Sequence, residues 1–271
     1  MTRTHEGGPD VFLVARTSPG QPGPPPEPPP RPTPGQLIRG LTVVSLGPVA
    51  LAVGSLLAPL SAARRWPRRL PEGWARSSAW AATAAGLVAP GVYAGLVRPW
   101  LMHWGSTEEE RRRRYPGDGP AEPLFTVTRA VTVRAPAEDV WKWLVQVGQD
   151  RGGFYSYDWL ENLAGCHIHS ADEIHDEWQD RSAGETLMLL PGFGPRLEEV
   201  DPPRSLVIEG WGAYVVEPVD EATCRLVARS HTDRGPAAVG YVLAMELPHA
   251  IMERKMLLGI KRRAEAAAGR G

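Results

Sequence analysis

Between positions 166 and 176 stand seven side chains that could ligate a metal or attack a substrate: Cys166, His167, His169, Asp172, Glu173, His175 and Asp176. In an extended segment His167 and His169 would project to the same side, as two zinc ligands must. The run lacks a recognised zinc spacing, and its acids with His175 suit a solvated helix. Surface or capping histidines are the simpler account, and no metal or other cofactor is expected. Cys166 beside a histidine also permits a thiolate nucleophile, but no positive field is apparent there to favour the anion.

A second constellation is apolar. His249 precedes Met252 by about one helical turn and Met256 by about two. Methionine is flexible and polarizable and lines adaptable apolar pockets. Trp141, Tyr155, Tyr157, Trp178 and Trp211 can supply walls with polar tips. The same eight residues could also form an ordinary packed core. For base chemistry His249 needs a partner, for which Asp158 and Glu209 are candidates; a lone histidine among methionines is more often a satisfied core residue.

These side chains must be positioned by the second half of the chain. Residues 124–134 alternate, with Phe125, Val127, Arg129, Val131 and Val133 on one side, which predicts a strand with one buried face. Pro136 opens a helix that continues to Val147, with Val140, Trp141, Leu144 and Val147 at helical spacing. Short helices are expected at 159–164, capped by Asp158, and at 171–180. Five further strands are expected at 186–190, 196–200, 205–211, 213–219 and 223–231, separated by turn residues and therefore antiparallel. The stretch 238–247 is ambiguous between strand and helix. Pro248 then starts a closing helix whose stripe of His249, Met252, Met256 and Ile260 faces inward, while Glu253, Lys255 and Arg262 point elsewhere. Runs of strands followed by a long helix make an α+β fold rather than alternating βαβ units.

The first half is built differently. Residues 1–36 hold 11 of the 28 prolines and predict a disordered tail. Positions 40–63 and 77–97 carry no charge, and each is long enough to cross a bilayer of ~30 Å. Tryptophans 66, 74, 80, 100 and 104 flank these runs as an interfacial belt would. We expect a transmembrane helical hairpin over 37–98, against the plainer alternative of two buried core helices. The arginine count leans slightly toward both termini, and the soluble domain, being cytoplasmic. A basic juxtamembrane linker follows at 99–119. There Ser106 or Thr107 can cap a helix, with Glu109 or Glu110 three residues on as a capping box requires, and Glu108, Glu109 and Glu110 each precede an arginine by four residues. This helix is either solvated or a clamp on the membrane surface. The soluble domain is expected over 120–271.

Charge and cysteine content narrow the function. Residues 1–117 hold 14 Arg/Lys against 7 Asp/Glu, whereas residues 118–271 hold 16 against 24. The acidic second half excludes a general nucleic-acid binder, which needs a basic face. Two cysteines cannot make a disulfide framework.

The order strand, Ala135-Pro136-Ala137-Glu138-Asp139-Val140-Trp141 helix and Gly184-Glu185 strand resembles the START/SRPBCC helix-grip superfamily, as does the Asp201-Pro202-Pro203-Arg204 turn. More narrowly, the segment 152–162 (GGFYSYDWLEN) and the segment 252–257 (MERKML) look like bacterial SRPBCC proteins of the polyketide cyclase and lipid-transport type. The resemblance implies an antiparallel sheet gripping the C-terminal helix around an apolar cavity, usually with seven strands, and carries no catalytic set. The expected function is a membrane-anchored domain binding a lipid or other hydrophobic small molecule. The alternative is a cyclase-, dehydratase- or hydrolase-like enzyme using acid/base residues of the same cavity.

Overall fold

A computed structural model of the chain describes residues 91–119, 123–163, 165–235 and 245–269, with residues 88, 238 and 240–242. The proline-rich tail at 1–36 and most of the expected hairpin at 37–98 lie outside the described residues. Among the described residues no helix is long and apolar enough to cross a membrane.

The fold is α+β. Five antiparallel strands, β1 (Phe125–Val133), β2 (Leu197–Asp201), β3 (Ser205–Ile208), β4 (Gly212–Asp220) and β5 (Thr223–Thr232), pair in the order β1-β5-β4-β3-β2. Preceding them are helices α1 (Arg98–His103), continuous with a π-helical turn over Tyr93–Val97, and α2 (Glu108–Arg112). Between β1 and β2 lie α3 (Ala137–Val145) and α4 (Asp158–Leu163), and α5 (Glu246–Ala268) closes the domain.

One face of the sheet packs against α3 and α5. Period-two alternation places Val133, Leu206, Ile208, Tyr214, Val216, Leu226 and Ala228 there, beside Val140, Leu144, Met256, Leu257 and Ile260 of the helices. The expected single buried face is corrected by the structure, because the opposite face is covered as well. Ala130, Val207, Ala213, Val215 and Val227 form a second cluster capped by Tyr115. Charged anchors fix this cover. Arg225 grips both carboxylate oxygens of Glu110 at 2.8 Å, and Arg229 grips both of Asp118 at 3.0 Å. The backbone N–H of Ala130 donates to the Trp104 carbonyl, 3.1 Å, so the edge strand is partly satisfied by the same segment.

The helix at 108–112 is solvated on most of its surface, with Glu108, Glu109, Arg111 and Arg112 exposed, but Glu110 anchors it to the sheet. Thr107 and Glu110 do form the capping box, and Arg112 pairs with Glu108. But Glu110 turns inward, Arg113 pairs with Glu217, and Arg114 donates to the carbonyls of Asp118 and Gly119. The packed body begins upstream of Pro120, with Leu101 and Met102 already buried.

Other departures are local. Residues 186–190 fold back on 193–196 through the Thr186–Arg196 and Leu190–Phe193 bridges and the N–H groups of Leu187 and Leu189, but form no regular strand. The 171–180 segment shrinks to a single 3-10 turn over Asp176–Trp178. Of the ambiguous stretch, residues 238 and 240–242 are helical. The closing helix starts at Glu246, so Pro248 sits inside its first turn, where no N–H is needed.

Candidate ligand-binding site

The inner stripe of α5 runs through Ala250, Glu253, Met256, Leu257, Ile260 and Ala264, all buried. Glu253, expected to point away, is thus interior, while Met252 is half-buried. The reason lies in helical geometry. Steps of four and three from His249 reach 253 and 256, which track an inward face as well as steps of three and four do.

A carboxylate at that depth needs a counter-charge, and β1 supplies it. Arg129, 1% exposed, bonds Glu253 through Nη1 and the Leu101 carbonyl through Nε at 2.6 Å. The Tyr214 hydroxyl donates to Glu253 Oε1 at 3.3 Å, and His249 Nε2 stands 3.6 Å from the same oxygen. On its other side His249 Nδ1 meets the Tyr241 hydroxyl at 2.6 Å. Trp211, in the turn before β4, lies with its ring 4.9 Å from Tyr214 and 6.0 Å from His249.

Burial works to raise the Glu253 pKa, but the Arg129 charge, helped by His249, overcomes it and holds the carboxyl well below the usual range. Burial pushes the phenols the other way, Tyr214 well above its ordinary value with Glu253 adding to the effect, and Tyr241 to about 12. Both tyrosines therefore stay protonated. Arg129 Nη2 is buried with no hydrogen-bond partner among the described residues. The arrangement is a closed polar relay, Tyr241–His249–Glu253–Arg129, with one buried donor left over and half-buried Trp211 and His249 at its rim.

Of the eight residues expected to line a pocket, Trp211 and His249 meet here. Trp141, Tyr155 and Met256 belong to the packed core. Tyr155 packs edge-on against Trp143 and bonds Gln146 at 2.7 Å. Tyr157 is half-buried beneath Lys255, and the Met252 carbonyl accepts from Ser156. Trp178 stands apart, its ring tilted against that of His175 with centroids 4.1 Å apart. An open cleft of about 380 Å³ contains none of the eight; Trp143, Asp172, Arg262, Arg263 and Ala266 line it. It lies roughly 20 Å along α5 from His249, at ~1.5 Å per residue. Neither expected partner of His249 is one: Asp158 instead binds the N–H and hydroxyl of Ser170, and Glu209 is exposed.

The sequence held two signals for the missed residues. Arg129 interrupts an otherwise apolar stripe of β1, which demands a buried anion. Glu253 follows His249 by four, the spacing that lets two helix side chains meet. Tyr214 and Tyr241 carried no comparable mark.

The Cys166–Asp176 region is scattered. His167 and His169 are both exposed, and among the described residues no group of three or more His, Cys, Asp or Glu side chains could hold a metal ion. Cys166 is buried, and burial with the nearby Glu161 pushes its thiol up to about 11, the reverse of nucleophile activation. Glu161 is itself buried at 4% exposure, both carboxylate oxygens lacking a partner among the described residues. Burial, then Asp158, raises it to about 7.

No family model matches the chain, and no curated protein matches it in sequence.

Proposed function

We propose that the chain is a membrane-anchored helix-grip domain that holds a lipid or another hydrophobic small molecule, with its polar end at the Arg129–His249 relay. The observation that carries this reading is Arg129 Nη2, a buried cationic donor with no partner among the described residues. A donor in that position rewards a molecule bringing a carbonyl, ester or carboxylate oxygen, because an unsatisfied buried group costs about 1–3 kcal/mol. Trp211 and Tyr214 would cover the adjoining apolar part. The sheet with one long helix laid across it supports the helix-grip reading, with five strands in place of the usual seven. The hairpin, with both termini cytoplasmic, would set the domain beside a store of apolar ligand.

One observation favours acid/base catalysis instead: His249 now has an acidic neighbour in Glu253. Against it, both ring nitrogens face protein groups, Tyr241 and Glu253, so neither is presented to a substrate. Native mass spectrometry of the full-length chain, extracted in discs of its own membrane, tests the choice. A co-purifying molecule that is lost in Trp211→Ala supports binding. A bare wild-type chain, or a bound mass unchanged by Trp211→Ala, refutes it.

A further inference from the structure

The surface formed by residues 92–100 and the start of α5 is apolar and locally basic. Val92, Leu96 and Trp100 recur at every fourth residue, and all three are exposed, Leu96 by 70%. Beside them on α5, Leu247 and Ile251 are exposed as well. The two stripes are neighbours. Arg98 clamps Glu246 with two bonds of 2.8 Å. Arg254, which shares the 247/251 side of α5 at a spacing of three and four, lies over the rings of Trp100 and Trp104, 5.9 and 4.7 Å from their centroids.

Charge reinforces the pattern. In 91–104 and 245–256 the acids are Glu246 and Glu253, both buried and paired, with Arg98 and Arg129, whereas Arg254 is exposed and Lys255 half-exposed. An acidic domain therefore presents a basic, tryptophan-bearing apolar end. Val92, Leu96 and Val97 also belong to the charge-free run 77–97, the second arm of the proposed hairpin.

We infer that this patch is a membrane-docking face, with Trp100, Leu247 and Ile251 seated at the headgroup level of an anionic bilayer. Tryptophan and apolar side chains rimmed by arginine and lysine suit that layer. The start of α5 is thereby a second membrane contact beyond the hairpin, and it brings His249, two residues from Ile251, next to the lipid. The inference rests on the hairpin proposed above.

The test uses the full-length chain in nanodiscs of phosphatidylcholine and phosphatidylglycerol carrying a headgroup-level nitroxide. Ile251→Cys is labelled with bimane, and Val219→Cys, exposed in the β4–β5 hairpin, serves as the distant control. Cys166 and Cys224 are buried, with thiols pushed up to about 11, and react slowly. Bimane at 251 should be quenched several-fold more than at 219. Equal quenching while the chain survives a carbonate wash overturns the docking face and leaves the hairpin standing. Shielding of position 251 from aqueous iodide without nitroxide quenching also overturns it, since a second copy would then cover the patch. Release of the chain by the wash overturns the hairpin and the docking face together.

Discussion

Glu161 gives the sharpest quantitative expectation. Its carboxyl is buried on α4, neither oxygen has a partner among the described residues, and it titrates near 7 instead of 4.5. A raised carboxyl pKa means that the folded chain holds the proton more tightly than the unfolded chain does. Stability is therefore greatest below about 4.5, falls as pH rises toward 7, and stays low above it. At ~1.4 kcal/mol per tenfold, ionised Glu161 costs the folded state about 3 kcal/mol at high pH and under ~1 at pH 5. Glu161→Gln keeps the shape and removes the charge. It should gain about 2–3 kcal/mol more at pH 8.5 than at pH 5, or roughly 5–10 °C in melting temperature for a domain of this size. His103, whose pKa burial lowers, changes the background in the opposite sense, so the quantity to read is variant minus wild type at each pH. Thermal unfolding followed by circular dichroism measures it. A difference that does not change with pH would refute a buried, ionising Glu161.

Three more outcomes follow from the packing. Glu253→Gln leaves Arg129 as a buried cation without its counter-charge and should cost about 3–5 kcal/mol in denaturant unfolding, while Arg129→Met/Glu253→Leu should recover most of it. Gly259→Ala would drive a β-carbon into the carbonyl oxygen and β-carbon of Tyr155, so it should destabilise by ~1–3 kcal/mol even though alanine is the better helix former; a stabilised variant would show that α5 and Tyr155 approach less closely. Truncation before Pro120 removes Glu110 and Asp118 from Arg225 and Arg229 and uncovers the outer sheet face. That chain should aggregate on size exclusion, whereas truncation before Gly91 should leave a folded body.

The regular elements were legible because each is written in local periodicity. Strands β1 and β5 and helices α3 and α5 fall within a few residues of their expected limits, and the Thr107–Glu110 box was visible as a three-residue spacing. What escaped was non-local. Nothing in residues 98–119 says that they will lie on the outer face of a sheet made from residues up to 232. Glu110 and Arg225 are 115 positions apart and become meaningful only as a pair. The site failed for a related reason. Arg129 was read as one more member of the β1 stripe with no partner sought for it, and Glu253 was assigned to solvent, although both can stay inside because each removes the other's cost.

The Arg129–Glu253 pair also orders events in time. Strand β1 leaves the ribosome about a hundred residues before its partner β5, and Glu253 follows Arg129 by 124 positions. Until α5 has been made, a nascent chain that collapses around β1 must either keep the guanidinium wet or bury a lone cation, and both hold the core open. Helix α5 thus supplies the anion without which the β1 guanidinium has no buried partner. A chain truncated before α5 should therefore keep apolar surface exposed and be more readily proteolysed than the full chain. Such long sequence separations also predict slow folding, which lengthens the interval of that exposure.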